Sequence, residues 1–336
     1  MSNWRKLLLP FSAVYYLITL TRNWLYDQNI WSSTSYALPL ICVGNLSTGG
    51  TGKTPMTEYL IRLLRDRQLA VLSRGYGRNT KGYQQVNSTR TAQEVGDEPL
   101  QYARKFPAIR VAVCEDRRTG ISKLRQDHDP ELILLDDAFQ HRKIQPGFSI
   151  VLTKYNELFL DDVVLPAGNL REPRRGVRRA DAVVVTKCPL DLPRSEQQRI
   201  LDRVSDYSGL PVFLSGIEYP EQVTNGKQQL AFSDLPDHFT LVTGIADARP
   251  LVRKLKEAGL HFDHWEFPDH HRFRESELQS IRNAPWILTT EKDFMRLESI
   301  ASDHPSMYYL PMQVRFLQGG ATLDSMILDY VKQSLD

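Results

Sequence analysis

The chain has 336 residues, 41% of them hydrophobic and 24% charged, a size and balance that suit one large or two ordinary folded domains and exclude a disordered chain. A net charge of only +2 excludes a global polycation, so any anion-binding function must be local. The three cysteines, Cys42, Cys114 and Cys188, lie far apart in or beside apolar runs; they read as core thiols of a reducing compartment, not as a disulfide frame or a zinc site.

At the amino terminus Trp4-Arg5-Lys6 leads into the apolar stretch Leu7–Leu20, followed by Arg22, Trp24 and Tyr26. Fourteen residues fall short of the about 20 needed to span a bilayer, and no small-x-small cleavage site follows Leu20. Apolar residues at 4, 7, 8, 11, 14, 15 and 18 keep helical spacing, with Pro10 placed to begin or kink the helix. Basic and tryptophan flanks suit a helix lying in a membrane interface. The same pattern suits a helix packed on the domain, and spacing alone leaves both open for residues 1–30.

The apolar run Leu38, Leu40, Ile41, Cys42 and Val43 comes next, then Gly44-Asn45-Leu46-Ser47-Thr48-Gly49-Gly50-Thr51-Gly52-Lys53-Thr54-Pro55, then a helical pattern through Tyr59, Leu60, Leu63 and Leu64. Strand, glycine-rich loop and helix in that order make a nucleoside-triphosphate phosphate cradle. Residues Ser47 to Thr54 supply it: glycines let backbone N–H groups close on phosphate oxygens, Lys53 brings a positive charge, and the Thr54 hydroxyl is a magnesium ligand. Ser47 stands where the strict pattern wants glycine.

Further strands are expected at Leu69–Ser73, Arg110–Cys114, Leu132–Leu135, Ser149–Thr153 and Ala182–Thr186. Their spacing implies crossover helices and a mostly parallel sheet with ligands at its carboxyl edge. Polar motifs follow the strands directly: Ser73-Arg74-Gly75-Tyr76-Gly77, Glu115-Asp116-Arg117-Arg118, Asp136-Asp137 and Thr186-Lys187. Asp136-Asp137 is the acidic partner that a phosphate loop needs for magnesium; which of the two touches the metal stays open. Gly96-Asp97-Glu98-Pro99 precedes an amphipathic helix expected to start near Leu100. Asp97 and Glu98 read either as caps of that helix or as the home of a base that takes a proton from an acceptor hydroxyl.

Arg171-Glu172-Pro173-Arg174-Arg175-Gly176-Val177-Arg178-Arg179 is an arginine run suited to an anionic substrate or the nucleotide phosphates, the alternative being a merely solvated basic loop. No aromatic residues interleave it as a single-stranded nucleic-acid platform would require. A polar stretch at Glu218–Gln229 reads as a linker or hairpin, after which strands at Phe239–Gly244, His261–Phe267, Trp286–Thr290 and Met307–Met312 suggest a second, smaller α/β unit. The domains so drawn are 31–218 and 219–336. His261 and His264 sit in a strand pattern that puts them on opposite faces, which argues against a zinc site. In Asp269-His270-His271 a histidine supporting a carboxylate is the better reading, with the choice between the two histidines open. Thr186-Lys187-Cys188-Pro189 lacks the base reader of a GTPase, and Thr48 stands where dimerising partition-type ATPases carry a second lysine.

Seven motifs in order resemble the tetraacyldisaccharide 4'-kinases of lipid A biosynthesis. They are the phosphate loop 44–55, Ser-Arg-Gly-Tyr-Gly (73–77), Gly-Asp-Glu-Pro (96–99), Asp-Asp-Ala-Phe-Gln-His (136–141), Leu-Pro-Ala-Gly-Asn-Leu-Arg-Glu-Pro (165–173), Asp-His-His (269–271) and Thr-Glu-Lys-Asp (290–293). That family's loop also lacks the first glycine; Ala138 stands where glycine is expected, and Asn169 where some members have proline. The resemblance implies a P-loop α/β kinase, with ATP and Mg²⁺ as cofactors and a lipid disaccharide as substrate, peripheral to the cytoplasmic face of the inner membrane. It requires neither nucleic acid nor an obligate protein partner. It implies Asp97 as base with His270 orienting it, Lys53 on the phosphates, Thr54, Glu98, Asp136 and Asp137 at the metal, and Arg74, His141, Asn169 and Arg171 at the substrate. The rival from another class is a membrane-associated, nucleotide-dependent switch that transfers no phosphate.

Overall fold

The computed structural model describes residues 3–269, 271, 273–297 and 304–335. The strands are β1 (Leu40–Asn45), β2 (Leu69–Ser73), β3 (Gln84–Val86), β4 (Arg110–Val113), β5 (Leu132–Asp136), β6 (Phe148–Lys154), β7 (Ala182–Thr186) and β8 (Val212–Glu218), then β9 (Gln222–Thr224), β10 (Gln229–Ala231), β11 (His238–Thr243), β12 (His261–Glu266), β13 (Ile287–Thr290), β14 (Met307–Leu310) and β15 (Gln313–Gln318). The helices are α1 (Leu9–Asp27), α2 (Lys53–Leu63), α3 (Ala92–Val95), α4 (Asp97–Lys105) and α5 (Arg117–His128), then α6 (Arg194–Ser208), α7 (Arg249–Glu257), α8 (Glu275–Arg282), α9 (Glu291–Arg296) and α10 (Gly320–Leu335).

Nine strands form the larger sheet in the order β15-β8-β7-β6-β1-β5-β2-β4-β3, with β8 to β4 all parallel. Alternation along the strands feeds two cores. Leu40, Cys42, Ala70 and Leu72 face α5 and α6 through Ile121, Leu124, Ile200 and Val204. Ile41, Val43 and Val71 face α2, α4 and α10 through Met56, Leu60, Leu100 and Leu323. A sheet buried on both faces explains why its strands read as unbroken apolar runs. The six-stranded sheet, β10-β9-β14-β13-β11-β12, carries α7 on one side through Leu251 and Leu255 and α8 on the other through Ile281.

The polar stretch after Glu218 is a hairpin, β9 pairing antiparallel with β10. The chain path differs from the expected run of 219–336 as one unit, because β15 returns to pair antiparallel with β8. Helix α10 packs on the larger sheet as well, where the Tyr330 hydroxyl accepts the Leu40 amide at 3.1 Å. Helix α1 starts with Pro10 in its first turn, so that proline begins the helix. It buries Ser12, Thr19 and Asn23 and exposes Phe11, Val14, Leu17 and Ile18, an inverted polarity. No helix among the described residues is long and apolar enough to cross a membrane.

Candidate active site

Strand β1 runs into the glycine-rich loop and α2 begins at Lys53, so the first amides of α2 have no partner within the helix. Gly49 and Gly52 take φ of 95° and 89°, which glycine alone adopts without strain. The loop is braced from three sides. The Asn45 side-chain amide donates to Thr51 Oγ1 at 2.8 Å, and Thr186 Oγ1, at the end of β7, donates to the Thr51 carbonyl at 2.7 Å. The third brace is the 165–173 segment: Asn169 O accepts the Thr48 amide at 2.8 Å, Leu46 O accepts the Arg171 amide at 2.7 Å, and Ser47 bridges to Leu170.

Asp136 ends β5 and Asp137 follows it with φ of 50°. The two neighbouring carboxyls are pushed in opposite directions. Burial, with Glu98 and Asp137 close by, raises Asp136 to about 7. Against a burial effect that would raise it, Lys53 and Arg171 hold Asp137 below the usual carboxylate range. Asp136 Oδ2 accepts from Ser73 Oγ at 3.0 Å, while its buried Oδ1 has no hydrogen-bond partner. Lys53 Nζ stands 3.7 Å from Asp137 Oδ1, and Arg171 Nη1 reaches both Asp137 oxygens at 3.0 and 3.1 Å.

The orphaned Oδ1 of Asp136, on a carboxyl that burial and its acidic neighbours drive towards holding a proton, marks a place short of positive charge, and it fits a divalent cation. Among the described residues no group of three or more His, Cys, Asp or Glu side chains is arranged to hold a metal. Glu98, Asp136 and Asp137 are therefore not gathered there as one three-carboxylate set; Mg²⁺ takes one or two carboxylates together with phosphate oxygens and water.

Gly96, with φ of 94°, lies against Gly75 and Tyr76 at the carboxyl end of β2, and α4 begins at Asp97 rather than near Leu100. Asp97 and Glu98 are not side-chain caps, since Gly96 holds the cap position without a side-chain bond. Asp97 Oδ2 instead accepts two bonds from Arg296, at 2.7 and 2.8 Å.

The remaining expected site residues divide. Asn169 Oδ1 accepts from Arg5 at 3.1 Å, and its carbonyl serves the phosphate loop. Arg74 is exposed at the end of β2. His141 Nε2 lies 3.7 Å from Asp116 Oδ1, and burial together with Arg117 lowers its pKa. His270 lies outside the described residues; His271 is bound to Glu277 at 2.8 Å and stacked on Phe267. Of the arginines after Arg171, two are committed to the protein: Arg174 donates to the Asp162 carbonyl, and Arg179 pairs with Glu172. His264 meets Thr243 at 2.8 Å and His261 is exposed, consistent with opposite faces of β12.

Residues that pattern did not single out complete the site. Arg117, 2% exposed, donates to the carbonyls of Cys114 and Asp136 at 2.7 and 3.2 Å. Buried Glu172 accepts from Asn23 of α1, Gln140 and Arg179, tying the amino-terminal helix to the 165–173 segment. Both lie inside motifs quoted from the sequence, where residue type alone assigned them no role.

The fold and loop define a P-loop α/β protein with a carboxylate pair at its phosphate cradle. The tetraacyldisaccharide-1-P 4'-kinase family model matches residues 4–332, and the chain belongs to that family. It is 43% identical to the tetraacyldisaccharide 4'-kinase of Flavobacterium johnsoniae, covering 99% of this chain and 98% of that one. The Bacteroides thetaiotaomicron enzyme of the same name is 40% identical over 98% and 94% of the two chains. Among solved structures, LpxK from Aquifex aeolicus, crystallised in complex with ATP, superposes with a TM-score of 0.79 at 32% identity, covering 98% of this chain and 99% of that one.

Proposed function

We propose that this protein transfers the γ-phosphate of ATP to the 4'-hydroxyl of a tetraacylated glucosamine disaccharide 1-phosphate, at the cytoplasmic face of the inner membrane. The observation that carries this reading is the convergence of Lys53, Asp136, Asp137 and the Gly96–Glu98 turn at the carboxyl edge of one sheet. Membership of the family over residues 4–332 supports the substrate, and the ATP complex of the Aquifex protein supports the nucleotide. We also propose two domains, with residues 313–335 counted with the larger sheet that they pair with and pack on.

In this reading Lys53 and the leading amides of α2 bind the β- and γ-phosphates. Thr54, with one or two of the carboxylates of Asp136, Asp137 and Glu98, would hold the magnesium. When bound, Mg²⁺ neutralises charge developing on the phosphate oxygens. Asp97 accepts the proton of the 4'-hydroxyl as its oxygen bonds to the γ-phosphorus. The bond from that phosphorus to the β–γ bridging oxygen breaks, and ADP leaves with the electron pair. The role of His270 in orienting Asp97 rests on family resemblance. Arg74, His141, Asn169 and Arg171 are assigned to the acceptor side, Arg171 reaching from there to Asp137.

The first experiment incubates the protein with Mg-ATP and tetraacyldisaccharide 1-phosphate in detergent micelles. Mass spectrometry should find one added phosphate on the lipid, absent with Lys53→Ala. ATP hydrolysis independent of the lipid, with no phosphorylated product, would sink this reading in favour of a nucleotide-dependent switch.

Helix α1 supports the membrane part. Its polar face is spent on the protein: Ser12 accepts the Ala167 amide, Tyr15 donates to the Arg171 carbonyl and Asn23 to Glu172. Phe11, Leu17 and Ile18 are 59–65% exposed. Moving such a side chain fully out of water yields roughly 1.5–3 kcal/mol, so an apolar interface completes the helix. Phe11→Glu with Leu17→Glu should cut partitioning onto phospholipid vesicles by at least about tenfold and leave ATP binding unchanged. Equal partitioning of variant and wild type would return α1 to a merely packed helix.

A further inference from the structure

The Thr290-Glu291-Lys292-Asp293 segment has no role in the reaction as derived so far, yet it anchors a polar contact between the smaller sheet and the site. Thr290 ends β13 and caps α9, its hydroxyl donating to Asp293 Oδ2 at 2.7 Å while accepting the Asp293 amide. The Gly244 amide, just past β11, donates to the same carboxylate oxygen at 2.8 Å. Asp293 is completely buried, and its other oxygen receives Arg296 Nη1 at 2.9 Å. That nitrogen also donates to the Gly244 carbonyl at 2.9 Å. The guanidinium is therefore fixed on one edge by two acceptors from the smaller sheet, and its Nε and Nη2 are presented outward. Both go to Asp97 Oδ2, at 2.8 and 2.7 Å, with the arginine side chain only 8% exposed.

A second bond keeps the two helices in register. Helices α4 and α9 run antiparallel, so that Arg296 meets the start of α4 while Glu291 meets its end. There Lys105 Nζ lies 2.6 Å from Glu291 and 2.7 Å from Glu58 of α2. Both carboxylates are buried, so the lysine is held in a site that cannot be rearranged cheaply. The smaller sheet thus grips the helix that carries Asp97 at both ends.

We propose that Arg296 is a positioning residue for phosphoryl transfer: anchored by Asp293 and Thr290, it holds the Asp97 carboxylate in the orientation that meets the acceptor hydroxyl. The readiness of the base then depends on the smaller sheet being docked. A planar, pre-organised fork suits this task better than a mobile ammonium, and a carboxylate displaced by 1 Å loses much of its rate advantage. The inference rests on Asp97 being the base.

The test is a double-mutant cycle on the full-length protein in micelles, with kcat and KM measured for ATP and lipid. Arg296→Gln should lower kcat about 10–100-fold, with KM for ATP within about twofold; the thermal midpoint should fall as well, because Asp293 is left buried without its cation. Arg296→Lys, which keeps charge but not the fork, should fall between the two; if the glutamine variant does not fold, the lysine variant runs the cycle. In the Asp97→Asn background the same substitution should add less than about twofold, because the group it positions is already gone. Wild-type kcat in Arg296→Gln would overturn the proposal, as would its full loss reappearing on top of Asp97→Asn. A wild-type protein that phosphorylates no lipid would instead overturn the kinase reading, and this inference with it.

Discussion

Asp97→Asn is expected to lower kcat by about 10²–10⁴ while KM for ATP stays within about threefold. Asparagine keeps the shape of the side chain and an oxygen able to accept from Arg296, so α4 should stay where it is. What it loses is the capacity to take a proton. The lower end of the range is the better expectation, because a loose phosphoryl transition state draws little on the base and much on positioning and charge. Steady-state turnover at saturating ATP and lipid is the measurement. Turnover near wild type would remove Asp97 from the chemistry and leave the Arg296 contact as a docking device alone.

Asp136→Asn is expected to abolish turnover to below about 1% and, in the metal-free protein, to stabilise the fold at neutral and alkaline pH. The sign follows from the raised carboxyl. In the unfolded chain Asp136 titrates near its ordinary 3.8, but burial with Glu98 and Asp137 nearby raises it to about 7 in the fold. At pH below the lower value both states hold the proton and its contribution to stability is fully present. Between the two values the folded protein keeps a proton that the unfolded chain releases, so stability falls as pH rises. Above about 7 both are ionised and the fold bears the whole cost of a buried charge. Asparagine carries no such cost. The thermal midpoint of the variant in EDTA should exceed the wild-type value at pH 8, and the gap should shrink towards pH 4. A gap that widened on acidification would refute the account. Such stability given up for a site that awaits a cation is the ordinary cost of function.

Much of this protein was written in local sequence. The buried strands Leu69–Ser73 and Ala182–Thr186 coincide residue for residue with β2 and β7, because a strand buried on both faces is an uninterrupted apolar run bounded by polar motifs. The phosphate loop was equally legible, since its chemistry needs glycines, a lysine and a hydroxyl at fixed spacing within one turn. Other elements had weaker signals. Strand β15 alternates between exposed and half-buried positions, and neither it nor β8 stood out; no local feature says that residues 313–318 pair with β8 and not with the second sheet. Helix α4 starts three residues before the Leu100 that its amphipathic pattern indicates, because Asp97-Glu98-Pro99 fills a first helical turn as readily as the loop before one.

The amino acids in chain order determined the family, most of the parallel strands and the phosphate cradle, all of which are legible from neighbours along the chain. Only the tertiary structure decided which face of α1 is buried, that Arg171 meets Asp137, that Glu172 joins α1 to the 165–173 segment, and that Arg296 holds Asp97. Each of these is a charge or polar group wholly or partly buried against a partner distant in sequence. The need for a partner is visible in a residue type, but the partner itself is chosen by packing.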